Sequence, residues 1–156
     1  MTVSDWMREA KVIGSHLKLA CENLLTVKKI SPSDRVSPTL MFYAAENLLM
    51  AVFTSEGIDA GAARRKAGNH QLDRMLDELP EECAVKAMFE GLIDLVAYST
   101  TYRYPTPVGD LPLPPSKEDA ERYFSVLKEV LGICTVRFKV DVRLDAPVAG
   151  SIKPLR

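Results

Sequence analysis

Side chains able to do chemistry are sparse in this sequence: two histidines, three cysteines and a few charged residues set among apolar ones. Neither His16 nor His70 belongs to an HxxH, HExxH or carboxylate cluster, so no protein-made metal site is expected. A glycine-rich phosphate loop and a GxSxG nucleophile turn are both missing, and no cofactor is implied. Cys21, Cys83 and Cys134 are odd in number and lack CxxC spacing, which excludes a disulfide framework and a zinc knuckle and suits a reducing compartment. Cys21 and Cys134 also fall on apolar helix faces, where a thiol is inert.

Glu46 is the most informative acid. Residues 40 to 53 are apolar nearly all the way round, interrupted only by Glu46 and Asn47. A carboxylate on such a helix costs several kcal/mol unless a cation or hydrogen bonds answer it. Arg103, embedded in the polar-aromatic run Tyr98 to Pro105, is the expected partner, because a planar guanidinium suits a carboxylate or a phosphate equally. Two simpler readings stand beside this: Glu46 at a solvent edge, and Arg103 complementing the dipole at a helix end. His70, with Asn69, stands at the mouth of a short helix, where it caps the helix or works in a site. His16 flanks the first helix's apolar face and reads as a satisfied boundary residue.

These residues need a scaffold, and the hydrophobic period supplies one. Over residues 5 to 27, Trp6, Ala10, Ile13, Leu17, Ala20 or Cys21, and Leu24 recur at three and four, predicting a first helix with Ser4 as its cap. Ser37 followed by Pro38 predicts the start of a second, with Gly57 as its stop. Residues 57 to 69, with Gly61, Gly68 and the run Arg64, Arg65, Lys66, read as an exposed loop before a short helix over 70 to 79. A third long helix is predicted over 84 to 98 and a fourth from Ser116, with Ala120, Phe124, Leu127, Leu131 and Cys134 inward. Between them, five prolines from Pro105 to Pro115 make a stiff extended connection. From 136 to 144 the period changes: Val136, Phe138, Val140, Val142 and Leu144 alternate with Arg137, Lys139, Asp141 and Arg143, which reads as a strand that needs a partner or, more simply, as the last helix extending or fraying into coil. The expected class is therefore all-α, an up-and-down bundle of four to five helices over residues 1 to 135, with residues 136 to 156 as a strand and tail extension.

The order Tyr43, Ala44, Ala45, Glu46, Asn47, Leu48, Leu49, then Asn69, His70, Gln71, Leu72, then Tyr102, Arg103, Tyr104, Pro105 resembles the HEPN superfamily of prokaryotic helical domains. The likeness covers about residues 5 to 134. It implies a helical bundle, often dimeric, recurrent in toxin-antitoxin and phage-defence operons, with members that bind nucleotides or cleave RNA. RNase members carry an arginine and a histidine four to six residues apart near the helix end that here leads into Arg103. Here Arg103 is followed by Tyr104, Pro105, Thr106, Pro107, Val108, Gly109 and Asp110, with no histidine.

The leading expectation is thus a non-catalytic HEPN-like homodimer whose groove, near Glu46, His70, Arg103 and Tyr104, takes a nucleotide, an RNA or an acidic segment of a partner. An alternative is a metal-independent endoribonuclease in which His70 is the base and Arg65, or Arg64 one residue further off, steadies the phosphate. The third is a pure interaction scaffold that lends residues 136 to 144 to a partner as a strand. Charge discriminates weakly. Twenty basic against 21 acidic residues give a net charge of -1, so any polyanion binding must be local. Residues 71 to 95 hold seven acids against Arg74 and Lys86, a surface that repels polyanions, whereas residues 135 to 156 are basic. The longest apolar runs fall far short of the ~20 residues of a membrane span, and the N-terminus lacks a signal-peptide pattern, so a cytoplasmic protein is expected.

Overall fold

A computed structural model describes residues 2–140. Three long helices carry the core: α1 (Val3–Ile30), α2 (Ser37–Ser55) and, after a set of shorter elements, α6 (Lys117–Phe138). The all-α class holds for the described residues, which contain no strand. Helices α1 and α2 share the most extensive contact, and α6 lies against both. A six-residue turn, 31–36, reverses the chain between the first two helices.

Helix α1 starts with a capping box in which the Thr2 hydroxyl accepts from the Asp5 amide and the Asp5 carboxylate accepts from that of Thr2, two residues earlier than a Ser4 cap would place it. At 1.5 Å per residue α1 is about 42 Å long and α2 about 28 Å, so α1 outruns its neighbour. The buried part of α1 begins at Ile13 and continues through Leu17, Ala20, Cys21 and Leu24 to Val27. Trp6, read from its spacing as a core residue, stands 55% exposed on the overhang. In α2 the period is real but the serine's role differs. Pro38 occupies the first turn, while the Ser37 hydroxyl donates back to the Ser31 carbonyl and no side chain caps the helix. Phe42, Leu48, Leu49 and Phe53 are fully buried, as the all-round apolar pattern requires. Gly57, at φ 72°, ends the run.

Three expectations between α2 and α6 are corrected. The stretch 57–69 is no loop: α3 (Ala60–Ala67) forms there, its first turn capped by Asp59, whose Oδ1 accepts from the Ala62 amide at 2.9 Å. The third long helix is broken. Helix α5 (Lys86–Glu90) stops at Gly91, and a 3-10 segment, Ile93–Tyr98, takes over, followed by a single 3-10 turn, Thr101–Arg103. The break has a visible partner: the Gly91 carbonyl, which a continuing α-helix would offer to Leu95, accepts instead from Arg122 Nη1 at 3.2 Å, and the Leu95 amide turns to Leu92. The short helix predicted over 70 to 79 is reduced to α4 (Leu72–Leu76).

Helix α6 opens as its sequence indicates, with Ser116 Oγ accepting from the Asp119 amide, and buries Ala120, Phe124, Leu127, Leu131 and Cys134. Its end corrects the strand expectation over Val136 to Phe138. Val136, Arg137 and Phe138 belong to the helix, and Lys139, left-handed at φ 54°, closes it with its amide bonded back into the last turn. Asp141, Val142, Arg143 and Leu144 lie outside the described residues. All three cysteines are buried; burial pushes the Cys21 thiol up to about 11 and the Cys134 thiol up to about 12. Among the described residues no helix is long and apolar enough to cross a membrane, and no three potential metal ligands converge.

Candidate functional site

Glu46 does have a basic partner, but it is Arg64 and not Arg103. Arg64 Nε donates to Glu46 Oε1 at 2.9 Å, and His70 Nδ1 lies 3.2 Å from each carboxylate oxygen. The triangle closes through Arg64 Nη2, 3.3 Å from His70 Nε2. Three elements meet here: the middle of α2, the last turn of α3 and the link between α3 and α4. Exposure is graded across the cluster, the side chains being 10% exposed for Glu46, 30% for His70 and 36% for Arg64.

The chain reaches this geometry through unusual backbone. Gly68, Asn69 and His70 take φ values of 94°, 52° and 51°, three left-handed residues in a row. Glycine enters that region without penalty, and asparagine and histidine are among the residues that tolerate it best. The Gly68 and Asn69 amides bond back to the Arg65 and Arg64 carbonyls, which finishes α3 and swings His70 under α2. Neither Asn69 nor His70 caps α4: the residue before that helix is Gln71, and no side chain bonds its free amides. The His70 ring instead meets the edge of Phe42, centroids 5.9 Å apart, and the Glu46 carboxylate.

The hydrogen bonds define the tautomer. A carboxylate only accepts, so Nδ1 carries the proton; a guanidinium only donates, so Nε2 presents its lone pair to Arg64. Opposite charges about 4 Å apart attract by roughly 4 kcal/mol at an effective dielectric near 20, comparable to the several kcal/mol needed to desolvate the acid. The Arg64 charge and the histidine donor together therefore make Glu46 tolerable where it sits. The expectation that this acid demands a cation is met, with the cation coming from a helix read as loop.

Arg103 and Tyr104 belong to another place, two turns back along α2. Arg103 lies over the Tyr104 ring, 5.9 Å from its centroid, and lines a hollow of about 320 Å³ with Arg35, Thr39 and Leu111. Arg35 covers the Tyr102 ring at 5.0 Å, and the Tyr102 hydroxyl donates to the Arg35 carbonyl. Burial holds the Tyr102 phenol above its ordinary value, and the Arg35 guanidinium draws it partly back. So Glu46 and His70 share one cluster, and Arg103 and Tyr104 share another. Arg65 is not beside His70 either: its Nη1 runs back along α3, 3.3 Å from where a Cβ on Gly61 would stand.

Arg64 in the clasp and Arg35 at the hollow are the residues that sequence reasoning underweighted. An arginine six positions before the histidine was the available signal for Arg64; nothing local marks Arg35. His16 is a boundary histidine as read, its Nδ1 2.8 Å from Asn47 Oδ1. Compared with protein-family models, with curated proteins and with solved structures, the chain matches none of them.

Proposed function

We propose that the chain is a non-catalytic HEPN-like binding module, an up-and-down helical bundle acting as a homodimer, that takes the phosphate of a nucleotide at the lip formed by Arg64 beside His70. The resemblance of residues 43 to 49, 69 to 72 and 102 to 105 to that superfamily supports the class. The observation that carries the reading is the saturated triangle. His70 Nε2, the only nitrogen left to act as a base once Nδ1 is held by Glu46, is occupied by a guanidinium donor at 3.3 Å. Arg64 is more than a third exposed and keeps Nη1 for an incoming anion, and a fork of donors held by a buried acid is pre-organised for phosphate. The seven acids of residues 71 to 95 favour a compact nucleotide over a long polyanion.

The second reading is the metal-independent ribonuclease. Its specific support is the contact between Arg64 and His70; Arg65, the arginine first considered, is turned away. One experiment separates the two. Titration calorimetry with mononucleotides is expected to show binding that weakens about tenfold or more in Arg64→Ala, while a labelled RNA incubated with the wild-type chain stays intact. Cleavage that disappears in His70→Ala would establish the enzyme, and absence of any nucleotide binding would remove the leading reading. Whether the chain sits in a toxin-antitoxin or defence context is a further proposal of the resemblance, tested by pull-down of the products of adjacent genes.

A further inference from the structure

The hollow between the α2 start and the proline-rich connection is independent of the Glu46 cluster, and its chemistry points to a different ligand. Two arginines line it. Arg35 Nη2 donates to the Pro112 carbonyl at 2.9 Å, and the Arg103 side chain makes no hydrogen bond or ion pair with a described residue. No described carboxylate pairs with either one; Asp34, the nearest acid in sequence, spends Oδ1 on the Val36 amide. Other arginines are answered by acids: Arg64 by Glu46, Arg122 by Asp119 and Arg137 by Glu56.

The surroundings are apolar and open. Val36, Tyr104 and Leu111 line the hollow while remaining 56%, 63% and 68% exposed, and Leu113, next to the anchored Pro112, is 85% exposed. Isolated exposed apolar residues need no explanation, but several gathered round one concavity mark an interaction surface. A free phosphate or nucleotide would satisfy the guanidiniums and leave this rim uncovered. A polypeptide covers both. The chain's own residues 141–156 are an unsuitable occupant, since Arg143, Lys153 and Arg156 outnumber Asp141 and Asp145.

We infer that this hollow is a docking site for an acidic segment of a partner protein, one apolar side chain entering beside Leu111 and flanking carboxylates pairing with Arg35 and Arg103. The guanidinium carbon of Arg35 lies 5.0 Å from the centre of the Tyr102 ring and that of Arg103 5.9 Å from the centre of the Tyr104 ring, so each charge stands beside an aromatic face at the hollow. The connection supplies a stiff wall, pinned to the helical body by Arg35 at Pro112. This surface does not depend on the nucleotide reading of the Glu46 cluster.

The test is selection of a random-peptide phage library on the immobilised full chain, counter-selected on the Arg35→Ala/Arg103→Ala double variant, with one enriched peptide then synthesised for fluorescence anisotropy. The expected consensus is a leucine, isoleucine or aromatic residue flanked by aspartate or glutamate, bound about tenfold or more weakly by Arg103→Ala, with similar loss in Leu111→Asp and no loss in His70→Ala. Circular dichroism checks that each variant remains folded, and Arg103→Lys, which keeps the charge without the planar fork, recovers part of the affinity. A library that yields no consensus, a consensus without acids, or equal recovery on the double variant overturns the proposal. So does a mononucleotide whose binding is lost in that double variant, because the hollow would then belong to a nucleotide.

Discussion

Two arginine clusters of this chain use the same chemical parts and end in opposite states. At the Glu46 cluster the guanidinium of Arg64 meets a buried carboxylate and an imidazole, which engage its Nε and Nη2 and leave only Nη1 at the lip. Around the Arg35 and Arg103 hollow the guanidiniums lie on tyrosine rings and no described acid pairs with them. Burial makes the difference. A charge removed from water must be neutralised by its own chain, whereas one left in solvent can wait for a ligand. The pair of clusters thus separates an arginine held by its own buried acid, with one nitrogen left at the lip, from two arginines that no described acid holds.

Substitutions that break the contrast should rank in a definite order. Glu46→Ala has the largest effect. It strands Arg64 and His70 around a cavity, and breaking a half-buried pair of this kind is expected to cost about 3 kcal/mol, or roughly 6 to 12 °C in Tm, read by thermal and urea denaturation. His70→Ala comes next, at about 1–2 kcal/mol for the lost hydrogen bonds. Its ranking against His70→Gly is diagnostic. At φ 51° alanine carries a left-handed penalty of about 1 kcal/mol that glycine escapes, so the glycine variant should be the more stable of the two. A double-mutant cycle sharpens the comparison further. Coupling between Glu46 and Arg64 should be about 1 kcal/mol or more, while coupling between Glu46 and Arg103, originally the expected pair, should fall within about 0.5 kcal/mol of zero. Smallest of all, Arg103→Ala should leave the melting curve within about 0.5 kcal/mol of wild type, because nothing inside the described chain leans on that charge.

The same contrast explains what could be read in the residues alone. Long amphipathic periods are local statistics, and α1, α2 and α6 were legible from them, together with Ser116 as a cap and the buried face from Ala120 to Cys134. The demand that Glu46 be answered was legible too, because it follows from desolvation and not from distance. Which cation answers it was hidden. Arg64 is 18 positions away along the chain, on a helix whose composition, with Gly61 inside and Gly68 behind it, imitates a loop. The interruption at Gly91 was equally hidden, since the group that takes its carbonyl, Arg122, lies 31 residues further on. At the other end, alternation over 136 to 144 resembled a strand although the helix had not finished: Val136 stays 79% exposed on α6, so the apolar alternation there does not describe a buried face. Local pattern finds elements; partners chosen across the fold decide where they stop.

Glu46 is the hub that fixes the His70 ring. The direct measurement is long-range nitrogen–proton NMR of the His70 side chain at mildly alkaline pH, in wild type and in Glu46→Gln. The wild-type ring should show a protonated Nδ1 and a bare Nε2, reverting toward the Nε2-protonated form that free imidazole prefers once the carboxylate is replaced by an amide. A wild-type His70 already protonated on Nε2, unchanged by Glu46→Gln, would contradict it.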